Sequence, residues 1–76
     1  MRYTVLGIVR SLARTKFLRS DLSRDEAREL VMKEGDCGWS TAEEVIDKAS
    51  STYFSSFDAI GDKDLYLEVL SYPGKA

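Results

Sequence analysis

Residues 3–9 read Y-T-V-L-G-I-V, and whether they form a strand or the start of a helix decides the class of the fold. β-Branched and aromatic side chains dominate the run. Both alternating faces are apolar, with Tyr3, Val5 and Val9 on one and Leu6 and Ile8 on the other. That pattern suits a strand at the centre of a sheet, or one buried on both sides. Phe17 to Leu22 then supplies the hairpin partner, with Ser11 to Thr15 as the loop. A helix from Leu6 to Leu18 is the alternative, because Leu6, Val9, Ala13 and Phe17 also fall near helical spacing. β-Branching and Gly7 favour the hairpin.

Residues 22–35 carry a helix signature from end to end. Ser23 is placed as the N-cap, Glu26 completes a capping box, and Leu22 and Ala27 stand where a hydrophobic staple would. Asp25 and Glu26 suit the positive end of the helix dipole and Lys33 the negative end, while Gly35 suits the left-handed position beyond the last turn. Ala27, Leu30 and Val31 form the apolar stripe. A second helix is expected to start at Ser40 or Thr41, which pair with Glu43 and Glu44 at capping-box spacing. Ala42, Val45, Ile46 and Ala49 make its inner face.

The serine-rich run from Ser50 to Ser56 is poor helical material, so a helix of about ten residues followed by a strand or irregular segment is expected. Residues 59–64 read as a turn. Leu65 to Leu70, with Tyr72 nearby, reads as a strand that Pro73-Gly74 ends. The expected fold is α+β, a single domain over residues 1–76. An antiparallel sheet of three to four strands packs on two short helices, in the order β-β-α-α-(β)-β.

Seventy-six residues support one core. Hydrophobic content of 43% and charged content of 32% are ordinary for a globular chain. The single cysteine cannot form an internal disulfide, which suits a reduced compartment. No targeting or membrane-spanning segment stands out, so a cytoplasmic protein is expected. A core of this size supplies only a few kcal/mol, so a homodimer or a host partner would help stabilise it.

Net charge is −2, but it is spread unevenly. Residues 1–33 carry eight Lys or Arg against four acids, a net of +4, and residues 34–76 carry three lysines against nine acids, a net of −6. In the basic half, Arg10, Arg14, Lys16 and Arg19 cluster around Phe17, and Arg24 and Arg28 could lie beside them on the first helix. That set is the candidate phosphate-contacting surface; a mixed-charge solvent face is the plainer reading. In the acidic half, Asp58, Asp62, Asp64 and Glu68 form a candidate partner-binding face, although their order does not match a calcium loop. Tyr53, Phe54 and Phe57 are candidate partner anchors, because at most two of the three can face one core; packing of all three in the core or sheet is the alternative.

Residues 35–44, G-D-C-G-W-S-T-A-E-E, bring the only cysteine and the only tryptophan together. Cys-Gly-Trp resembles the neighbourhood of a cysteine-protease nucleophile. A thiol nucleophile needs a base, however, and the chain has no histidine. The stretch reads instead as a connector, with Trp39 capping the core. The missing histidine also removes a Ser-His-Asp triad and mixed cysteine–histidine zinc sites, and one cysteine cannot build a cysteine-only zinc site. No cofactor is expected.

The expectation is therefore a small non-catalytic binding protein that occupies a surface of a larger protein or ribonucleoprotein complex by steric blocking or charge mimicry. In general look the chain is similar to small phage-borne inhibitors of host defence, such as the anti-CRISPR proteins. That likeness is one of size and composition, and no motif carries it. The alternative is a nucleic-acid-binding module that uses the basic hairpin and first helix.

Overall fold

Residues 3–9 do form a strand. In the computed structural model, which describes residues 1–61 and 63–74, β1 (Arg2–Val9) and β2 (Arg14–Leu22) make the hairpin. The chain continues through α1 (Arg24–Gly35), α2 (Trp39–Lys48), β3 (Ser55–Asp58) and β4 (Leu65–Tyr72). The four strands form one antiparallel sheet in the order β2-β1-β4-β3. This is the expected α+β architecture, with β3 as the further strand.

The core lies between the sheet and the two helices. Tyr3 and Val5 of β1, with Leu65, Leu67 and Val69 of β4, are buried against Ala27 and Val31 of α1 and against Ala42, Val45 and Ile46 of α2. Each of these helical residues belongs to the apolar stripe or inner face read from periodicity. Ser71 is also buried, and its hydroxyl donates to the Ala49 carbonyl at 3.1 Å, which ties the end of α2 to β4.

α1 begins as its sequence dictates. The Glu26 amide donates to the Ser23 hydroxyl at 3.1 Å, and the Ser23 amide donates to the Glu26 carboxylate at 2.9 Å. Its end differs from expectation. Gly35 stays inside the helix, and Asp36 takes the left-handed conformation at φ 54°. Gly35 is needed for a different reason: a methyl group there would stand 2.8 Å from the Phe57 ring. An aspartate tolerates the left-handed region better than most residues do, so the glycine is free to serve packing.

α2 starts at Trp39, earlier than both expected caps, Ser40 and Thr41. Gly38 is the N-cap and gives no side-chain hydrogen bond. Ser40 and Thr41 are thus inside the helix. Trp39, in its first turn, is 56% exposed and does not cap the core. Its ring lies 5.2 Å from the Arg28 guanidinium instead, a distance at which a cation is attracted to the ring.

Candidate interaction surface

Two helices can cover only one face of a four-stranded sheet. Burial alternates strictly along β4: Leu65, Leu67, Val69 and Ser71 are buried, and Tyr66, Glu68, Leu70 and Tyr72 are half-buried on the other side. β1 alternates likewise, with Tyr3, Val5 and Gly7 inside and Thr4, Leu6 and Ile8 half-buried outside. Of the two readings of residues 3–9, the strand at the centre of a sheet holds, since β1 lies between β2 and β4, and burial on both sides does not. Strand neighbours shield Leu6 and Ile8, but no element among the described residues covers them.

Residues directly opposite across strands share a face, so the register builds the open surface residue by residue. Leu6 stands between Leu18 of β2 and Glu68 of β4, and Ser56 of β3 lies beyond Glu68. One step along, Thr15, Ile8, Tyr66 and Asp58 make the next row; Thr4 faces Leu70, and Arg2 faces Tyr72. Leu18 is 57% exposed. The result is an aliphatic patch of Leu6, Ile8, Leu18 and Leu70 with two tyrosines beside it. A cleft of about 600 Å³ bounded by Arg2, Asp21, Tyr72 and Pro73 lies at its Tyr72 end.

The acidic candidates are only partly united. Asp58 and Glu68 lie on the open face, where Asp58 pairs with Arg10 at 3.8 Å. Asp64 instead serves the β1–β2 loop, accepting from the Ser11 amide at 3.0 Å and from the Ser11 hydroxyl. Asp62 lies outside the described residues. Among the described residues no group of carboxylates or thiols is placed to hold a metal ion.

The aromatic candidates divide. Tyr53 and Phe54, just before β3, are 62% and 53% exposed. Phe57 is half-buried against Gly35 and Leu67. Core packing of all three is therefore excluded. Because Ser55 pairs with Val69, Phe54 enters the sheet at the Leu70 end of β4.

The basic candidates are only partly compensated. Arg10 pairs with Asp58, and Lys16 reaches Glu34 at 3.8 Å. Arg14 and Arg19 form no ion pair among the described residues. Arg24 and Arg28, expected beside this cluster, turn instead to α2. Arg24 binds Glu43 at 2.8 Å and also Asp47; Arg28 binds Glu43 at 2.8 Å and Asp25 at 2.7 Å. Hydrogen bonds from Arg24 and then Arg28 hold the Glu43 carboxyl below the usual glutamate range, and Glu43 and Asp47 in turn raise the Arg24 guanidinium. This network staples the helices together and uses two cations that a polyanion would need.

Cys37 is half-buried, and its thiol donates to the Val31 carbonyl at 3.6 Å. Burial, and then the neighbouring Asp36, push the thiol up, away from the thiolate a nucleophile requires.

The open face is what residue-type reasoning missed. Its signal was present in the second apolar face of residues 3–9 and 65–72, for which two helices leave no cover. No helix among the described residues is long and apolar enough to cross a membrane. No protein-family model matches this chain, and comparison with curated proteins and with solved structures finds no match either.

Proposed function

We propose that this chain is a non-catalytic binding protein that docks on a larger protein, alone or within a ribonucleoprotein complex, through the open face of its sheet. The observation that carries this reading is the patch of Leu6, Ile8, Leu18 and Leu70 flanked by Tyr66 and Tyr72, with exposed Phe54 at its margin. Aromatic residues in an apolar setting are the usual anchors of protein interfaces. Strands about 4.8 Å apart, rising about 3.3 Å per residue, give a face on the order of 400–500 Å². Counted on both partners, that is about 1,000 Å², the lower limit of a specific interface.

The charge on this face is mixed, with Arg2 and Arg10 set against Asp58 and Glu68, so it favours neither polyanion nor polycation. The nucleic-acid reading draws on less, because Arg24 and Arg28 are held by Glu43 between the helices. Covering a working surface of the target would make the protein an inhibitor by steric blocking. Its size and composition are in keeping with phage-borne inhibitors of host defence such as the anti-CRISPR proteins.

The test is capture from the native host with tagged wild type and with the double variant Phe54→Asp, Leu70→Asp, each with and without nuclease. The reading expects one protein to be recovered by wild type despite nuclease and to be lost from the variant, whose fold is checked by circular dichroism. Recovery abolished by nuclease would point to nucleic acid. Equal recovery by a folded variant would rule out the open face.

A further inference from the structure

β2 is an outer strand of the sheet, nine residues long, whereas β3 at the opposite edge has four. All of its residues except Phe17 and Leu22 are exposed, so the helices leave it overhanging. Its stretch from Arg14 to Ser20 reads R-T-K-F-L-R-S, three cations with no acid. On its helix side, a crevice of about 210 Å³ is lined by Lys16, Phe17, Arg19, Leu30, Lys33 and Glu34. Arg14, Arg19 and Lys33 make no ion pair among the described residues. The Lys16–Glu34 contact is 3.8 Å long with the lysine 55% exposed, a surface pair of little strength.

An unpaired strand edge offers its backbone groups to another extended chain. We infer that the β2 edge binds an acidic, extended segment of a partner protein, which adds to the sheet as a fifth strand. Its carboxylates meet Arg14, Lys16, Arg19 and Lys33. Charge selects this occupant over a second copy. Two β2 edges side by side would bring Arg14, Lys16 and Arg19 of both copies together with no acid between Arg14 and Ser20, whereas an acidic strand meets these cations with opposite charge. Single-stranded nucleic acid would be drawn by the same cations, but it also needs an aromatic face for its bases. Phe17 is committed elsewhere: its ring lies on Gly7. The site is separate from the Phe54 and Leu70 region and does not depend on docking there.

The experiment titrates the whole protein against three labelled probes: a peptide of about eight residues alternating valine and glutamate, its valine–lysine counterpart, and an oligothymidylate of similar length. The glutamate peptide is expected to bind best and to weaken as salt rises. Arg14→Glu with Arg19→Glu should lower its affinity about tenfold or more, and the milder Arg14→Gln, Arg19→Gln pair should lower it less. Phe54→Asp with Leu70→Asp should leave it unchanged. Amide exchange over residues 14–20 should slow when the peptide is bound. Glutamate-peptide binding no tighter than that of the lysine peptide, tighter binding of thymidylate, or binding without slower exchange in β2 would each overturn the inference.

Discussion

The ring of Phe17 lies across Gly7 on the neighbouring strand, so close that a methyl group on Gly7 would stand 2.3 Å from it. Phe17 is thereby, with Leu22, one of the two half-buried apolar residues that attach the overhanging β2 to the core. Gly7→Ala is expected to destabilise the fold by about 1–3 kcal/mol, because the ring must leave its place. In a Phe17→Ala background the same change should cost much less, and a double-mutant cycle in urea measures the coupling. Additive effects would mean that the ring does not rest there.

The two helix starts predict opposite outcomes for similar serines. Ser23→Ala removes a formed capping box and should cost about 1 kcal/mol, seen as a lower denaturant midpoint at constant slope. Ser40→Ala should be neutral or gain a few tenths, since Ser40 lies inside α2, where alanine is the slightly better helix former. Placing a serine at Gly38 should gain a few tenths by adding the missing cap. A large loss at Ser40 would move the start of α2.

Glu43 accepts from both Arg24 and Arg28, and its carboxyl titrates below the usual range. A group whose folded pKa is depressed contributes stability above its unfolded pKa, and that contribution is lost as pH falls through the folded value. Wild type should therefore exceed Glu43→Gln in stability at neutral pH, and the gap should narrow as pH drops below the usual glutamate range. Glu26, lowered by the Ser23 amide and then its hydroxyl, keeps part of the acid sensitivity in both proteins. Urea midpoints across the acid range check this; a gap independent of pH would contradict it.

Much of the fold was legible because its signals are local. The capping box at Ser23, the stripe of Ala27, Leu30 and Val31, and the β-branched run of residues 3–9 all specify structure within a few residues. The errors arose where tertiary contacts decide. Ala13 takes a left-handed φ of 50° in a hairpin turn without glycine or asparagine, so nothing marked where β2 begins. Gly35 looked like a helix terminator but makes room for Phe57. Glu43 and Glu44 looked like capping partners, whereas Glu43 faces α1. The candidate surface was less legible still. Which side of an apolar strand stays bare depends on how many helices exist to cover it, not on the strand.

Cys37 is expected to be chemically quiet. Its thiol is raised by burial and by Asp36, so alkylation in the native state should be slower than for free cysteine at the same pH. Cys37→Ala should leave partner capture unchanged. Fast alkylation, or loss of capture with the fold intact, would restore a role for the thiol. The neighbouring Trp39 is exposed, so its fluorescence should be quenched by iodide before unfolding.

Docking through the open face is tested most directly by photo-crosslinking. A photoreactive phenylalanine analogue is placed in turn at Phe54, at Leu70 and at Trp39, and each protein is irradiated in host extract after nuclease treatment. Phe54 and Leu70 belong to the candidate surface, whereas Trp39 lies on the helix side. The same partner is predicted to be joined to positions 54 and 70 and not to position 39. A partner joined through position 39, with positions 54 and 70 silent, would contradict the assignment of the open sheet face as the binding surface.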